Sequence, residues 1–529
     1  MNFKRCIIIG LLFFLLMGCQ SIERYNAHLE QEISVQKLKK DVAFIQKKIR
    51  KNHVKYDWYN SKEIIDYRFD SLRQSIQQPL KPNEFYLKVQ PIIHSLGHGH
   101  TDIYPLFRKY SKEELARTKD SKGIFSQLAT FWQNDTLYYS GPFYKKYNLK
   151  PGAIILQIDS IQPKQLVDKY QHTFYGDGFN LTYFKNRLNR NFFSYFYTLD
   201  YGSKDSILYT FQQDGKVFQQ KFYRVFPEKK EEPKKVEKDT VKVVVQKPKA
   251  PEEKLKQHEF SFNKSSNSYT RSLSFPTNDS TLAVLKVSTF SHDTFEKDYE
   301  EIFKLIQSYK VQNLVLDLRN NGGGRLADSY QLFSYVVPNQ SRFLGEQYIT
   351  SSSAFQRAIV DVFPRGLQPI AYPFSFLGHL ITGRNSEGEK VIKPALSRIK
   401  NNNPENVYTG NLYVMINGGS YSASALLSSN LKGLQRAFFV GEETGGDANG
   451  SVAGLMPDYQ LPHSKLKLQL GTVVLSPAHY KTDVVGHGVY PDQVIQPTLW
   501  DKIHKKDPEL EWIINDIKND NVALKAVVK

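Results

Sequence analysis

The apolar positions of the first hundred residues repeat at the spacing of an α-helix. The first run with this period consists of Leu38, Val42, Ile45 and Ile49. A second amphipathic stretch covers residues 63–76, and a third opens at Pro82, a residue favoured in the first helical turn. The glycines of SLGHGHT end this third helix. The pattern predicts an N-terminal helical region over residues 19–124.

Between residues 125 and 226 the pattern changes to short β-like runs. These runs are TLYYS, AIILQID, SILYTF and VFQQKFYRV. The segment LKPGAIILQIDSIQPKQL predicts a Pro-Gly turn, a buried strand, a tight Asp-Ser turn and a returning strand. That order resembles the middle of a PDZ domain, and a plain structural β domain is the open alternative. We expect a PDZ-like β domain over residues 125–226.

Residues 227–258 form a break in composition. Lys and Glu alternate there around several prolines, and large apolar side chains are almost missing. Such a stretch cannot bury enough surface to offset its ordering entropy. We expect a charged linker or insertion, with a weak edge strand at VKVVVQ as the alternative.

The longest unit follows, over residues 259–500. Four apolar runs, TLAVLKV, NLVLDL, NLYVMI and AFFVG, alternate with helical patterns at 294–309, 326–337 and 422–431. Alternation of strands and helices is typical of a layered α/β domain. Residues 501–529 add a C-terminal helix. The fold class predicted for the whole chain is α/β, as a mixed α+β multidomain protein.

Composition narrows the possible functions. The chain has 529 residues, of which 40% are hydrophobic and 13% aromatic, so extended disorder is excluded. Lys and Arg number 71 against 53 Asp and Glu, which gives a net charge of +18. No zinc-finger spacing, RNP-like aromatic strand or basic heptad helix accompanies this charge. We therefore expect a basic protein of a cell envelope that does not bind nucleic acid.

The N-terminal residues predict export. Lys4 and Arg5 precede an apolar run over residues 6–17, which is too short to span a bilayer and is typical of a signal peptide over residues 1–18. Leu-Met-Gly-Cys19 resembles the bacterial lipobox, so we expect lipidation at Cys19 and a membrane anchor through that lipid. Cleavage there removes the other cysteine, Cys6, which excludes disulfides and cysteine chemistry. An ordinary secretory signal is the alternative.

Three segments carry candidate chemistry. NLVLDLRNNGGG ends a buried strand in glycines that expose backbone N–H groups, or simply forms a tight turn. YVMINGGSYSASALL places Ser422 at a strand-to-helix junction, where helix-capping serines are the alternative. GHGHT contains His98 and His100, without a third ligand at zinc-site spacing.

Taken together, these segments resemble the tail-specific (C-terminal processing) serine peptidases, a family that includes the tricorn core protease. DLRNNGGG, NGGSYSASALL, VGEETGGDANG and GVYPD follow the family order, with the PDZ-like hairpin and HGHT before them. The resemblance implies a serine peptidase with a protein or peptide substrate and without metal or cofactor. It also implies Ser422 as the nucleophile, and Gly323 and Ala423 as the backbone donors of the oxyanion hole.

The processing branch of that family has a lysine 25 residues after its serine, and here Asp447 stands in that place. The remaining pattern is tricorn-like and implies His100 as the base. A carboxylate for His100 is harder to assign, and Asp483 is the available candidate. The tricorn-like pattern has a serine before its histidine, where this chain has Gly99. A binding protein without turnover, or an esterase using the same serine, stays open.

Overall fold

The computed structural model describes residues 21–173, 176–226, 257–264, 266–277, 279–338, 342–363, 367–393 and 405–527, together with Leu255. The predicted signal peptide, Cys19 and most of the predicted linker lie outside the described residues.

The N-terminal region is helical. Its elements are α1 (Ile22–Glu30), α2 (Val35–Asn52), α3 (Lys62–Ser75), α4 (Pro82–His94), the short strand β1 (Asp102–Tyr104) and α5 (Lys112–Thr118). The apolar stripe of α2 is at most 1% exposed, and α4 begins with a proline in its first turn. The helices predicted here are therefore confirmed.

A five-stranded antiparallel sheet follows, in the order β2-β3-β4-β5-β6. Its strands are β2 (Thr130–Gln133), β3 (Thr136–Tyr139), β4 (Ile154–Ile158), β5 (Ser206–Gln213) and β6 (Lys216–Tyr223). Between β4 and β5 the chain forms α6 (Pro163–Tyr170), α7 (Thr182–Leu188) and α8 (Phe192–Tyr201). The four β-like runs of the sequence all become strands.

The returning strand predicted after the Asp-Ser turn is wrong. Ile161 makes a single bridge to Ile158, and the chain then enters α6. Pro163 occupies the first turn of this helix, and the Gln165 side chain accepts from the Gln162 N–H at 3.0 Å. The start signals for a helix therefore outweigh the hairpin pattern.

The longest unit is built on a seven-stranded sheet in the order β19-β14-β13-β10-β9-β8-β7. The strands up to β13 are β7 (His258–Asn263), β8 (Ser268–Ser274), β9 (Leu282–Val287), β10 (Asn313–Asp317), β11 (Thr382–Arg384), β12 (Lys390–Ile392) and β13 (Asn411–Ile416). The later ones are β14 (Phe438–Gly441), β15 (Ser451–Ala453), β16 (Asp458–Gln460), β17 (Lys467–Gln469), β18 (Val473–Leu475) and β19 (Gln493–Val494). Strands β9, β10, β13, β14 and β19 run parallel, and β8 and β7 are antiparallel additions.

Helices cover both faces of this sheet. The helices of residues 259–529 are α9 (Phe295–Ser308), α10 (Leu326–Val336), α11 (Ser352–Asp361), α12 (Gln368–Ala371), α13 (Leu377–Leu380), α14 (Ala423–Gly433), α15 (Leu499–His504), α16 (Pro508–Lys518) and α17 (Val522–Val527). One face packs on α9, α10 and α14, and the other on α16 and α17. The layered α/β prediction is confirmed. The single helix predicted over residues 501–529 is instead the end of α15 followed by α16 and α17.

Strand β1 joins the N-terminal region to the longest unit. It pairs antiparallel with β17, with Ile103 opposite Leu468. This pairing brings the segment after α4 onto the unit that carries the seven-stranded sheet. Within the described part of the chain, no helix is both long and apolar enough to cross a membrane.

Candidate active site

Ser422 lies where the chain leaves β13 and enters α14. Because β10 and β13 are parallel neighbours, the loops after them meet at one edge of the sheet, and Gly323 therefore lies against Ser422. The backbone of Ser422 has φ +56° and ψ −123°, a strained conformation for a residue with a side chain. Its hydroxyl does not cap α14. The turn instead presents Oγ outside the helix.

His100 faces this hydroxyl from the other end of the chain. Its Nε2 lies 3.0 Å from Ser422 Oγ, across 322 residues of sequence. Strand β1 begins two residues later and is fixed by β17, and the Gly99 N–H donates to Asp177 at 2.9 Å. The structure therefore brings together the two groups that the sequence singled out as nucleophile and base.

Burial changes the pKa of this histidine. Desolvation lowers the pKa of His100 to about 4, so the ring is neutral at neutral pH. A neutral imidazole has a lone pair with which to accept a proton from a hydroxyl. The pair can therefore act as an activated serine.

The expected oxyanion donors differ from each other. No acceptor for the Ala423 N–H is found among the described residues, and this group sits at the positive end of α14. The Gly323 N–H, by contrast, donates to Asn321 Oδ1 at 2.9 Å. Gly323 lies where it was expected, and a Cβ there would be 2.7 Å from Ser422 Cβ. In this structure, however, its N–H is hydrogen-bonded to Asn321 and does not point to an empty oxyanion position.

The carboxylate expected beside His100 is not Asp483. That residue is exposed, and the second ring nitrogen, Nδ1, lies 3.0 Å from the Tyr421 hydroxyl. Tyr421 in turn donates to Asp177 Oδ1 at 3.2 Å. The sequence analysis missed both groups. Tyr421 stands beside the serine in SYSAS, whereas nothing in the sequence marks Asp177, 244 residues away.

Two buried carboxyl groups lie behind this arrangement. Burial raises the pKa of Asp177 to about 7 and that of Asp447 to about 6. The charge of Asp447 raises the pKa of Asp177 further, whereas hydrogen bonds from backbone N–H groups lower the pKa of both carboxyls. Asp447, in the place of the dyad lysine, accepts from Tyr59 Oη at 2.9 Å. The position therefore holds an acid where the processing branch holds a base.

Arg319, from the DLRNN segment, fixes the loop that carries Gly323. Its guanidinium donates to Asp317 at 3.0 Å and to Asp507 at 2.8 Å, and lies 3.2 Å from Glu509. Asp507 is the N-cap of α16. The motif arginine thus ties the glycine loop to the C-terminal helix and does not face the serine.

His98 lies outside this constellation. It is buried, its Nε2 is 3.0 Å from the Lys55 carbonyl oxygen, and its ring packs 4.6 Å from that of His53. Within the described ranges, no group of three or more His, Cys, Asp or Glu side chains is placed to hold a metal ion. His98 therefore has a packing role here.

One cavity borders the site, and a larger cleft is lined by other residues. A narrow one of about 10 Å³ lies beside Ser422 and is lined by Leu326, Leu426, Leu475 and Asp447. A cleft of about 1500 Å³ opens between the antiparallel sheet and the seven-stranded sheet, and it reaches Asn320. The cleft is large enough for an extended peptide, whereas the narrow cavity has room for about one water molecule.

Comparisons with known proteins find one family model and several solved structures that are similar to this chain. Residues 281–495 match the model of peptidase family S41. The crystal structure of mature CPAF is 15% identical with a TM-score of 0.56, over 92% of this chain and 98% of that one. Mature CPAF complexed with lactacystin is 14% identical with a TM-score of 0.57, over 93% and 99%. The photosystem II D1 C-terminal processing protease is 14% identical with a TM-score of 0.38, over 88% and 96%. No curated protein sequence matches the chain.

The matched segment begins one residue before β9 and ends one residue after β19, so it contains the parallel strands and the loops that carry Gly323 and Ser422. At such low identity, the likeness to CPAF shows the shared fold alone. The family match, the order of the motifs and the fold point the same way: residues 281–495 are similar to peptidase family S41, and the chain is a serine peptidase.

Proposed function

We propose that this peptidase cleaves peptide bonds with Ser422 as nucleophile and His100 as general base, through an acyl-enzyme. The observation that carries the proposal is the 3.0 Å contact between Ser422 Oγ and His100 Nε2. This distance is within the range required for direct proton transfer between a nucleophile and its base.

The proton balance follows from these two groups. As Oγ attacks the scissile carbonyl carbon, its proton moves to Nε2, and His100 becomes an imidazolium. The imidazolium then gives this proton to the leaving amine, and the acyl group stays on Oγ. A water molecule deprotonated by Nε2 hydrolyses the ester and restores both groups.

The developing oxyanion needs donors near Ser422. Ala423 supplies its N–H, which has no acceptor within the described part of the chain, and the positive end of α14 adds to the stabilisation. Gly323 becomes the second donor when the oxyanion replaces Asn321 Oδ1 as the acceptor of its N–H. One such donor is worth about 2.7–4 kcal/mol in other serine enzymes.

The test is covalent labelling together with peptide hydrolysis. We expect Ser422→Ala to lose fluorophosphonate labelling and turnover, and His100→Ala to lose at least most of both. Ser424→Ala is the matched control, because Ser424 is buried in the same helix and its hydroxyl has no partner among the described residues. Labelling that persists in Ser422→Ala contradicts the mechanism. A wild-type protein that binds peptides without labelling would support the binding-protein alternative.

We also propose that the enzyme works at the bacterial cell envelope, held by a lipid on Cys19. The charged start, the apolar run and the Leu-Met-Gly-Cys19 sequence support this. Metabolic labelling with a radioactive fatty acid tests it, since Cys19→Ala should abolish incorporation. Incorporation that is unchanged in this variant would contradict the anchor.

A further inference from the structure

A tyrosine stands where a serine peptidase usually has the acid of its triad. The hydroxyl of Tyr421 lies between His100 Nδ1, at 3.0 Å, and Asp177 Oδ1, at 3.2 Å. We propose that Tyr421, held by Asp177, is the residue that orients His100 and sets its tautomer. This inference rests on the proposed function and names the positioning residues of the same site.

Asp177 fixes the direction of each hydrogen bond. Oδ1 of Asp177 already accepts from the Gly99 N–H, so it faces Tyr421 as an acceptor, and the Tyr421 O–H donates to it. The tyrosine oxygen then accepts from His100 Nδ1–H, and Nε2 is left with its lone pair towards Ser422. The reversed arrangement would place the proton on Nε2 and make the base unable to accept from Oγ.

Tyr421 keeps its own proton throughout. Burial and the charge of Asp177 raise the pKa of its hydroxyl well above the ordinary value. When His100 takes the proton of Ser422, its Nδ1–H continues to donate to the tyrosine oxygen. The hydroxyl thus couples Asp177 to His100 through two hydrogen bonds and does not itself release a proton.

The surroundings fit a hydroxyl at this point. The rings of His100 and Tyr421 stack, with centroids 4.9 Å apart and 22° between their planes. A Cβ on Gly99 would lie 2.3 Å from Tyr421 Oη and 3.0 Å from the Gly176 carbonyl oxygen. The serine expected before His100 therefore cannot coexist with this tyrosine. Gly99 leaves the space that Tyr421 fills.

Asp177 is held in turn by two donors. Oδ1 accepts from the Gly99 N–H and from Tyr421. Asp447 is the other charged group that faces it, and Tyr59 and the Gly486 N–H bind Asp447. The second oxygen of Asp177 has no partner in the described residues. Such a buried carboxylate has little freedom to turn away from Tyr421.

The first test is Tyr421→Phe, which removes Oη and keeps the stacked ring. We expect kcat/KM and the labelling rate to fall about 10²- to 10⁴-fold, because losing the group that sets the tautomer in a Ser-His-Asp triad costs about 10⁴-fold. Tyr413→Phe is the matched control: it also removes a buried hydroxyl that donates to a carboxylate, Asp516, at 2.6 Å, on the far face of the sheet. The control should keep its activity. A loss under threefold in Tyr421→Phe overturns the inference.

The second test does not need activity. In ¹⁵N-histidine-labelled protein, the His100 resonance, assigned by its absence in His100→Gln, should have the Nδ1–H tautomer in the wild type and lose it in Tyr421→Phe. An Nε2–H tautomer in the wild type, or an unchanged one in the variant, overturns the inference. If Ser422→Ala removes labelling while Tyr421→Phe does not, this inference fails alone. If the wild type never labels, the proposed function fails, and the tautomer still decides the role of Tyr421.

Discussion

Because the ionised carboxylate of Asp177 is buried, its desolvation should lower the free energy of unfolding. Removing the charge should raise that free energy again. We predict that Asp177→Asn is more stable than the wild type at pH 8, although it is a poorer enzyme. Asparagine keeps a carbonyl oxygen for the Gly99 N–H and the Tyr421 hydroxyl. It has no charge to desolvate.

The magnitude follows from the pKa of Asp177, which burial raises from 3.8 to about 7. The folded protein therefore keeps a proton between about pH 4 and pH 7 that the unfolded chain has released. The contribution of this carboxyl group to the free energy of unfolding is fully present below about pH 4, and it is lost as the pH rises through about 7. The full difference is on the order of 4 kcal/mol, of which about 2–3 kcal/mol falls between pH 5 and pH 8.

The assay is urea unfolding of both proteins at pH 5, 6, 7 and 8. The stability gain of Asp177→Asn should grow with pH by roughly the 2–3 kcal/mol above. Asp483→Asn, which removes an exposed carboxylate, is the control and should show a constant difference. Parallel pH curves for the wild type and Asp177→Asn would refute the reasoning, since Asp177 would then be ionised at the same pH in both states.

Two further predictions concern the serine itself. Gly323→Ala should abolish fluorophosphonate labelling with the circular dichroism spectrum preserved, because its Cβ would lie 2.7 Å from Ser422 Cβ; labelling at the wild-type rate would contradict the close packing. Peptides with Gly or Ala before the scissile bond should be cleaved at least tenfold faster than those with Phe, because the cavity beside Ser422 holds about 10 Å³. Equal rates for the two kinds of peptide would show that this cavity does not receive that side chain.

Local patterns were enough for most of the fold. Apolar residues at helical spacing predicted α2, α9 and α10, and short apolar runs predicted the parallel strands, because both patterns follow from burying one face or both faces of an element. The pattern failed at Pro163, where a turn followed by alternating residues suggested a hairpin. There the proline in the first turn and the hydrogen bond between the Gln162 N–H and the Gln165 side chain, only three residues apart, favoured a helix.

The site was predictable only where a motif carried it. The motif order singled out Ser422 and His100, and the structure places them within hydrogen-bond distance. Asp177 comes from the segment between β4 and β5, and its contact with Tyr421 depends on how two sheets pack. No spacing along the chain contains that information. Asp483 was chosen by its distance from GVYPD, and tertiary packing leaves it in solvent.

The pairing of β1 with β17 has a consequence for biosynthesis. Three residues on each strand, joined across the molecule, bring the imidazole to the serine. In the proposed mechanism, a chain still being synthesised carries its base more than three hundred residues before its nucleophile, so it cannot yet hydrolyse neighbouring polypeptides. Activity would arise only when the strand that carries Leu468 has been made and has paired with β1.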